Sequence, residues 1–213
     1  LKGKVEMSMS TALKGLSLMA FVALSGLPVA AQDAPAPEAA APELSMGAEA
    51  APAVLTKETA QPGQGYLAAN FEGWEQRCEK TEDGKDPCQL FQLLKDTDGN
   101  SVAEFSIFPL PAGGKAVAGA TVVAPLETLL TAGLTIAIDS APAKIYPFNF
   151  CTQLGCVARV GFTAEELAQL KKGNKAVATI VPAVAPDTPV NLDISLKGFT
   201  AGFDAASAAM PAN

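Results

Sequence analysis

The side chains able to do chemistry in this chain are four cysteines, a scatter of carboxylates and hydroxyls, and no histidine at all. A dithiol redox enzyme needs a short Cys-x-x-Cys with a lowered thiol pKa. Here Cys78 and Cys88 bracket nine residues and Cys151 and Cys156 bracket four, spacings that suit the closing of hairpins. Four cysteines allow three pairings, and the local one, Cys78 with Cys88 and Cys151 with Cys156, is the simplest. Among the carboxylates, Glu104 with Asp139 or Asp193 could supply an acid and a base as in a glycosidase. No motif surrounds them, and solvated positions on wet strand faces are the simpler reading. Ser106, Ser140 and Ser195 have no base that the sequence places beside them. The missing histidine removes the commonest general base and the commonest transition-metal ligand. Asp96-Thr97-Asp98-Gly99-Asn100 begins like a calcium loop, but its glycine is misplaced and the closing glutamate is absent, so a hairpin turn is expected. No catalytic, cofactor-binding or metal-binding residue is therefore assigned.

The elements that must carry these residues are mostly strands. Residues 150–173 are the organising stretch: a cysteine-clasped hairpin turning at Thr152–Gly155, an apolar strand over Val157–Phe162, then a helix. Thr163 and Glu166 have the spacing of a capping box, Leu167 and Leu170 mark the buried stripe, and Lys171 and Lys172 sit at the negative end of the dipole. Gly173 is expected to supply a left-handed stop. Earlier, Phe71–Cys78 reads as one strand bearing the only tryptophan, and Cys88–Lys95 as its return partner. The polar turn between them, 79–87, has Asp83-Gly84 at its tip. Further strands are expected over Val102–Leu110, Ala116–Ala124, Leu134–Asp139 and Lys175–Val181. A short helix is expected over Pro125–Gly133, with proline at its entry and glycine at its exit. Val190–Lys197 alternates apolar and polar residues as a half-buried strand does, and Phe199 and Phe203 suggest a short terminal turn. About eight strands and two short helices, with no alternation of strand and helix, make the chain mainly β: an antiparallel β-sandwich with two local disulfides.

The flanks differ from this body. Lys14, the apolar run Leu16–Leu27 and the small residues Val29-Ala30-Ala31 form a signal-peptide pattern over 1–31, with cleavage expected before Gln32 and residues 1–8 upstream of a start at Met7 or Met9. Residues 32–63 are rich in Ala, Pro and Glu and hold no aromatic residue, so they read as a disordered spacer. The folded domain is expected over 64–204, with a tail over 205–213. The whole chain carries −7 at neutral pH, and without Lys2, Lys4, Lys14 and Glu6 it holds 12 basic and 21 acidic residues, a net −9. That excludes the basic footprint nucleic acid requires and electrostatic attachment to anionic lipid. No transmembrane segment is expected in the mature chain.

The order Trp74…Cys78, Phe105–Pro111, Val123–Leu130, Gly133-Leu-x-Ile-x-Ile-Asp139, Pro147-Phe148-x-x-Cys151-x-x-x-Gly155-Cys156 and Ile194-Ser-Leu-x-Gly-Phe199 resembles the invasion-associated locus B family of exported bacterial proteins, over nearly all of 70–204. The resemblance implies a disulfide-containing, largely β domain in the periplasm or at the cell surface, named for a role in host-cell entry, with no known catalytic residues to carry over. The leading expectation is a non-catalytic exported protein that contacts an envelope or host protein. A periplasmic assembly or chaperone-like factor offering a sheet edge is the alternative. A loop clasped at its base loses less entropy on binding. The contact surface is accordingly expected at Glu79, Glu82, Asp83 and Asp86 on one tip and at Gln153 and Leu154 on the other. The competing reading is that the clasps only stabilise a small exported domain.

Overall fold

The computed structural model describes residues 54–210. Eleven strands form one sheet in which every neighbouring pair is antiparallel. In chain order they are β1 (Gly65–Phe71), β2 (Trp74–Glu79), β3 (Cys88–Lys95), β4 (Ser101–Pro109), β5 (Ala118–Ala124), β6 (Leu134–Ile138), β7 (Lys144–Tyr146), β8 (Phe148–Thr152), β9 (Gly155–Phe162), β10 (Lys175–Ile180) and β11 (Val190–Ser195). Across the sheet they run β7-β6-β10-β11-β3-β4-β5-β9-β8, with β2 also paired to β3 and β1 to β2. The sheet curls until it is nearly closed, and β7 and β8, the two ends of that order, are consecutive in the chain across Pro147, while β1 forms a further edge beside β2. The mainly β, antiparallel class with two helices and two local disulfides is thus what the chain adopts, as a single curled sheet.

Alternation explains the core. Along β4, Ala103, Phe105 and Ile107 point inward; along β5, Ala118, Ala120, Val122 and Ala124 do; along β11, Leu192 and Ile194 do. Small alanines face large residues across the interior, which lets side chains interdigitate at native density. Phe91 is buried on the opposite face of β3, because the Arg77 guanidinium lies 3.2 Å above its ring and covers apolar surface with its own.

Helix α1 (Ala164–Lys172) has the expected capping box: Glu166 N–H donates to the Thr163 hydroxyl and Thr163 N–H to the Glu166 carboxylate. Its stop differs from the expectation. Gly173 has φ −70°, so no left-handed turn is needed there. A Cβ at this position would come within 2.8 Å of Asp139, Gln169 and Leu196, and glycine is required for room. Helix α2 (Phe199–Ala208) extends the expected terminal turn to ten residues and runs past the expected domain end at 204. Its alanines are the best helix formers, and Phe199, Phe203 and Ala206 bury one face. Phe199 packs 5.4 Å from Trp74, centroid to centroid.

Two further expectations fail for reasons of pairing. Phe71–Cys78 is not one strand: it breaks at Glu72-Gly73, where Glu72 adopts φ 52° and β1 folds back on β2. Pro125–Gly133 is not a helix beyond a single 3-10 turn at Leu130–Ala132. Leu129 N–H donates to Val181 and Ala183 N–H to Glu127, so the segment bridges to 181–183 instead of bonding to itself. Residues 54–63, assigned above to the spacer, are packed: Leu67 N–H donates to Leu55, and Ala60 is buried with Tyr66 and Cys78. The expected signal peptide over 1–31 and the spacer up to 53 lie outside the described residues.

The junction of β2, β3 and β11 is held by side chains. β11 meets β3 at one pair only, Asp193 with Lys95, while β2 takes the other half of β3. Backbone groups in between would be orphaned. Buried Gln92 accepts from Ser195 N–H at 2.8 Å and donates to the Gly73 carbonyl at 2.8 Å, and the Trp74 indole N–H donates to the Ser195 carbonyl at 2.8 Å. Satisfying buried amides in this way avoids about 1–3 kcal/mol for each group left unpaired.

Candidate functional site

Both disulfides form as the simplest pairing requires, each between directly opposed residues of a hairpin. They lie toward opposite ends of the sheet. Cys88 is level with Pro109 and Ala118, whereas Cys156 is level with Ala124. Six residues of strand separate the two levels, roughly 20 Å.

In the 79–87 loop the four acidic residues do not share one role. Glu79, Glu82 and Asp83 are exposed. Asp86, expected among them as a contact residue, is 5 % exposed and faces inward. Its carboxylate accepts from the Tyr66 hydroxyl at 2.8 Å, Thr81 N–H at 2.8 Å and the Thr81 hydroxyl at 2.9 Å. Those bonds, the Thr81 amide foremost, hold the Asp86 carboxyl down to about 2. Burial and then the Asp86 bond push the Tyr66 phenol up to about 12. Asp83 is also held below the ordinary carboxylate range, by the Thr81 side chain and then by the Lys85 N–H. The loop is therefore pinned twice at its base, by the disulfide and by Asp86, and presents three exposed carboxylates. A groove lined by Val54, Leu55, Arg77, Phe108 and Pro109 runs beside the bridge.

The Thr152–Gly155 tip is built differently. Gly155 has φ 146°, and a Cβ there would strike the Ala124 carbonyl, so the turn lies flat against the end of β5. The Thr152 hydroxyl accepts from Leu154 N–H at 3.2 Å. Gln153 is exposed and Leu154 is 90 % exposed.

Two of the three candidate acid–base residues have structural partners. Asp139, at φ 47°, accepts from the amides of Asn174 and Lys175 and so ties the end of β6 to the start of β10. Asp193 pairs with Lys175. Glu104 is exposed on β4, and Ser195 contributes its backbone to the Gln92 and Trp74 bonds. Asp96 accepts from the amides of Asp98 and Asn100 and closes the expected hairpin turn. A small cleft between β6, β7 and α1 holds the ion pair of Lys144 with Glu166. Burial pushes the Glu166 carboxyl up, but Lys144 and Thr163 together hold it below its ordinary value, and Glu166 raises Lys144. Tyr66, Gln92 and Trp74 are the partners that sequence reasoning misses. Their one available signal is that each is a polar group at an inward position of its strand.

A body of this kind, one antiparallel sheet stapled at both ends, with Asp86, Asp96, Asp139 and Glu166 committed to loops, turns and a cap, is a small disulfide-stabilised β protein. Residues 74–207 match the model of the family "Invasion associated locus B (IalB) protein", and the chain belongs to that family. It is 29 % identical over 142 residues to Invasion protein B homologs of Brucella abortus strain 2308 and of Brucella abortus biovar 1 strain 9-941, spanning 67 % of this chain and 80 % of theirs. Its fold is also similar to the crystal structure of invasion associated protein b from Bartonella henselae, with a TM-score of 0.57 at 21 % identity, covering 67 % of this chain and 95 % of that one. Among the described residues no helix is long and apolar enough to cross a membrane.

Proposed function

We propose that this protein is a non-catalytic, exported envelope protein that acts by binding another protein, at the envelope or at a host-cell surface, through its clasped acidic loop. The observation that carries this reading is the loop's division of labour. Asp86 and the Cys78–Cys88 bridge fix the backbone, and Glu79, Glu82 and Asp83 are left facing solvent. These three carboxylates outnumber the loop's one exposed lysine, Lys85, so the tip is net negative; held fixed, it loses little entropy on docking and favours a basic partner. The names of the Brucella relatives, invasion protein B homologs, support a partner met outside the cytoplasm, as do two disulfides.

The experiment is capture of partners from an envelope extract and from host-cell membranes by the full chain. A Glu79→Ser, Glu82→Ser, Asp83→Ser variant, with Asp86 and all cysteines kept, is run beside it. Binding should fall about tenfold and lose its salt dependence, while the melting temperature stays unchanged. Equal capture by the two chains would end this reading.

A further inference from the structure

At β8, one end of the curled sheet's strand order, a covalent bond ties an otherwise lightly held strand to its neighbour. β8 pairs with β9 alone, and every residue from Asn149 to Thr152 is exposed. Hydrophobic burial therefore does little to hold this part of the strand. What fastens it is the ladder to β9, the Arg159 N–H donated to the Asn149 side-chain carbonyl at 2.7 Å, and the Cys151–Cys156 bridge. On β9, Val157 stands opposite Phe150 and is 8 % exposed.

The two bridges differ in what a thiolate can reach and in what else holds them. Cys151 is exposed and Cys156 is 1 % exposed, so a thiolate arriving from solvent meets this bridge at Cys151 Sγ. Cys78 is 4 % exposed and Cys88 is half-buried, and the bonds of Asp86 to Tyr66 and Thr81 hold the loop between them. The 152–155 tip has one side-chain hydrogen bond of its own, from Leu154 N–H to the Thr152 hydroxyl. A fold holds a bridge by the same free energy with which the bridge holds the fold, and the shorter loop gains less from closure. Access and stability therefore single out the same bond. We infer that the Cys151–Cys156 bridge is a thiol–disulfide exchange site, opened by an exogenous dithiol while Cys78–Cys88 stays closed. One thiolate of the dithiol bonds to Cys151 Sγ, and the S–S bond breaks with its electron pair going to Cys156 Sγ, which takes a proton. The second thiolate then attacks the dithiol sulfur bonded to Cys151 and displaces Cys151 as a thiolate, which takes the other proton. The bridge gains two electrons and two protons, and the dithiol leaves as its own disulfide. Without the bond, the end of β8 from Phe150 to Thr152 is held by one ladder on one side, and its opening bares the β9 edge and Val157. The protein is the substrate of this exchange and catalyses nothing. The site goes beyond the binding of a partner through the acidic loop, and it does not depend on that reading.

The experiment is treatment of the folded full chain with dithiothreitol for graded times, stopped with acid. Free thiols are then alkylated after unfolding and assigned by peptide mass spectrometry. Cys151 and Cys156 should be freed at least about tenfold faster than Cys78 and Cys88. Trp74 is 1 % exposed, and its emission should stay unmoved while the first bridge opens, which shows that the core is still folded. In that reduced state amide hydrogen exchange over 150–157 should rise at least about tenfold, with β10 and β11 unchanged. A Cys151→Ser, Cys156→Ser variant should show the same fast exchange with no dithiol present; if it folds poorly, the dithiol series decides alone. Freeing of Cys78 and Cys88 first or at the same rate overturns the inference. So does freeing of Cys151 and Cys156 only as the Trp74 emission shifts with global unfolding, or exchange over 150–157 that reduction leaves unchanged. None of these readings involves a binding partner, so the outcome is independent of whether the acidic loop finds one.

Discussion

The two ends of the sheet use the same covalent device for different purposes. At one, Cys78 is buried, the bridge adjoins a buried Tyr66–Asp86–Thr81 cluster, and the tip beyond it is acidic. At the other, Cys151 is exposed, Cys156 is buried against β5, and the tip ends in an almost fully exposed leucine. The first bridge is one part of a cross-linked polar base. The second fixes a turn that has few other bonds of its own.

Deleting the bridges is the strongest way to break this contrast. Loop-closure entropy gives about 3 kcal/mol for the Cys78–Cys88 loop and about 2 kcal/mol for the Cys151–Cys156 loop, on sequence separations of 10 and 5. Cys78→Ser with Cys88→Ser should therefore lower the urea midpoint more than Cys151→Ser with Cys156→Ser. The reverse order would mean that the polar base holds without its disulfide.

Asp86→Asn comes next, and pH identifies its origin. A carboxyl held near 2 in the fold and near about 3.9 when unfolded stabilises fully above pH of about 4 and loses that contribution as pH falls toward 2. The native chain should be more stable than Asp86→Asn at neutral pH, and the two should converge in acid. Tyr66, raised to about 12, gives the alkaline counterpart: its share is complete below pH of about 10 and is lost between about 10 and 12. Stability curves that stay parallel from neutral pH down to about pH 2 would remove Asp86 from the base.

Thr163→Ala, which takes the cap from α1, serves as a yardstick for one local bond away from either bridge. It should cost about 1 kcal/mol by chemical denaturation. Smallest of all, Leu154→Ser should change stability by no more than about 0.5 kcal/mol, because the side chain is 90 % exposed. A larger loss would show that the tip packs on something.

What the sequence revealed of this molecule is what is short-range in it. Both hairpin bridges, the Thr163–Glu166 box and the alternation of Val190–Ser195 were legible because their partners lie within a few residues. Asp86 was misjudged because an acidic residue in a polar loop reads as solvated, while the phenol that binds it is 20 residues upstream. Pro125–Gly133 had the end signals of a helix, and only the amides of 129 and 183, bonded across to the other segment, show why it does not coil. The approach of exposed Leu126, Leu154 and Val184 to one another could not be seen at all, since they come together only through registers that the folded sheet sets.

The bond from Trp74 to Ser195 spans 121 residues, and Gln92 reaches the same residue across 103. As the chain emerges from the ribosome, β2 and β3 are complete long before β11 exists. Through that interval the indole N–H and the Gln92 amide have no partner, and Phe199 is not there to cover the ring. The amino-terminal half lacks these partners until the last strand and helix exist, so for about half of the chain's length as it is made the Trp74 side of the core is incomplete. Trp74 is the only tryptophan in the protein, which makes its fluorescence a clock for the moment when that wait ends.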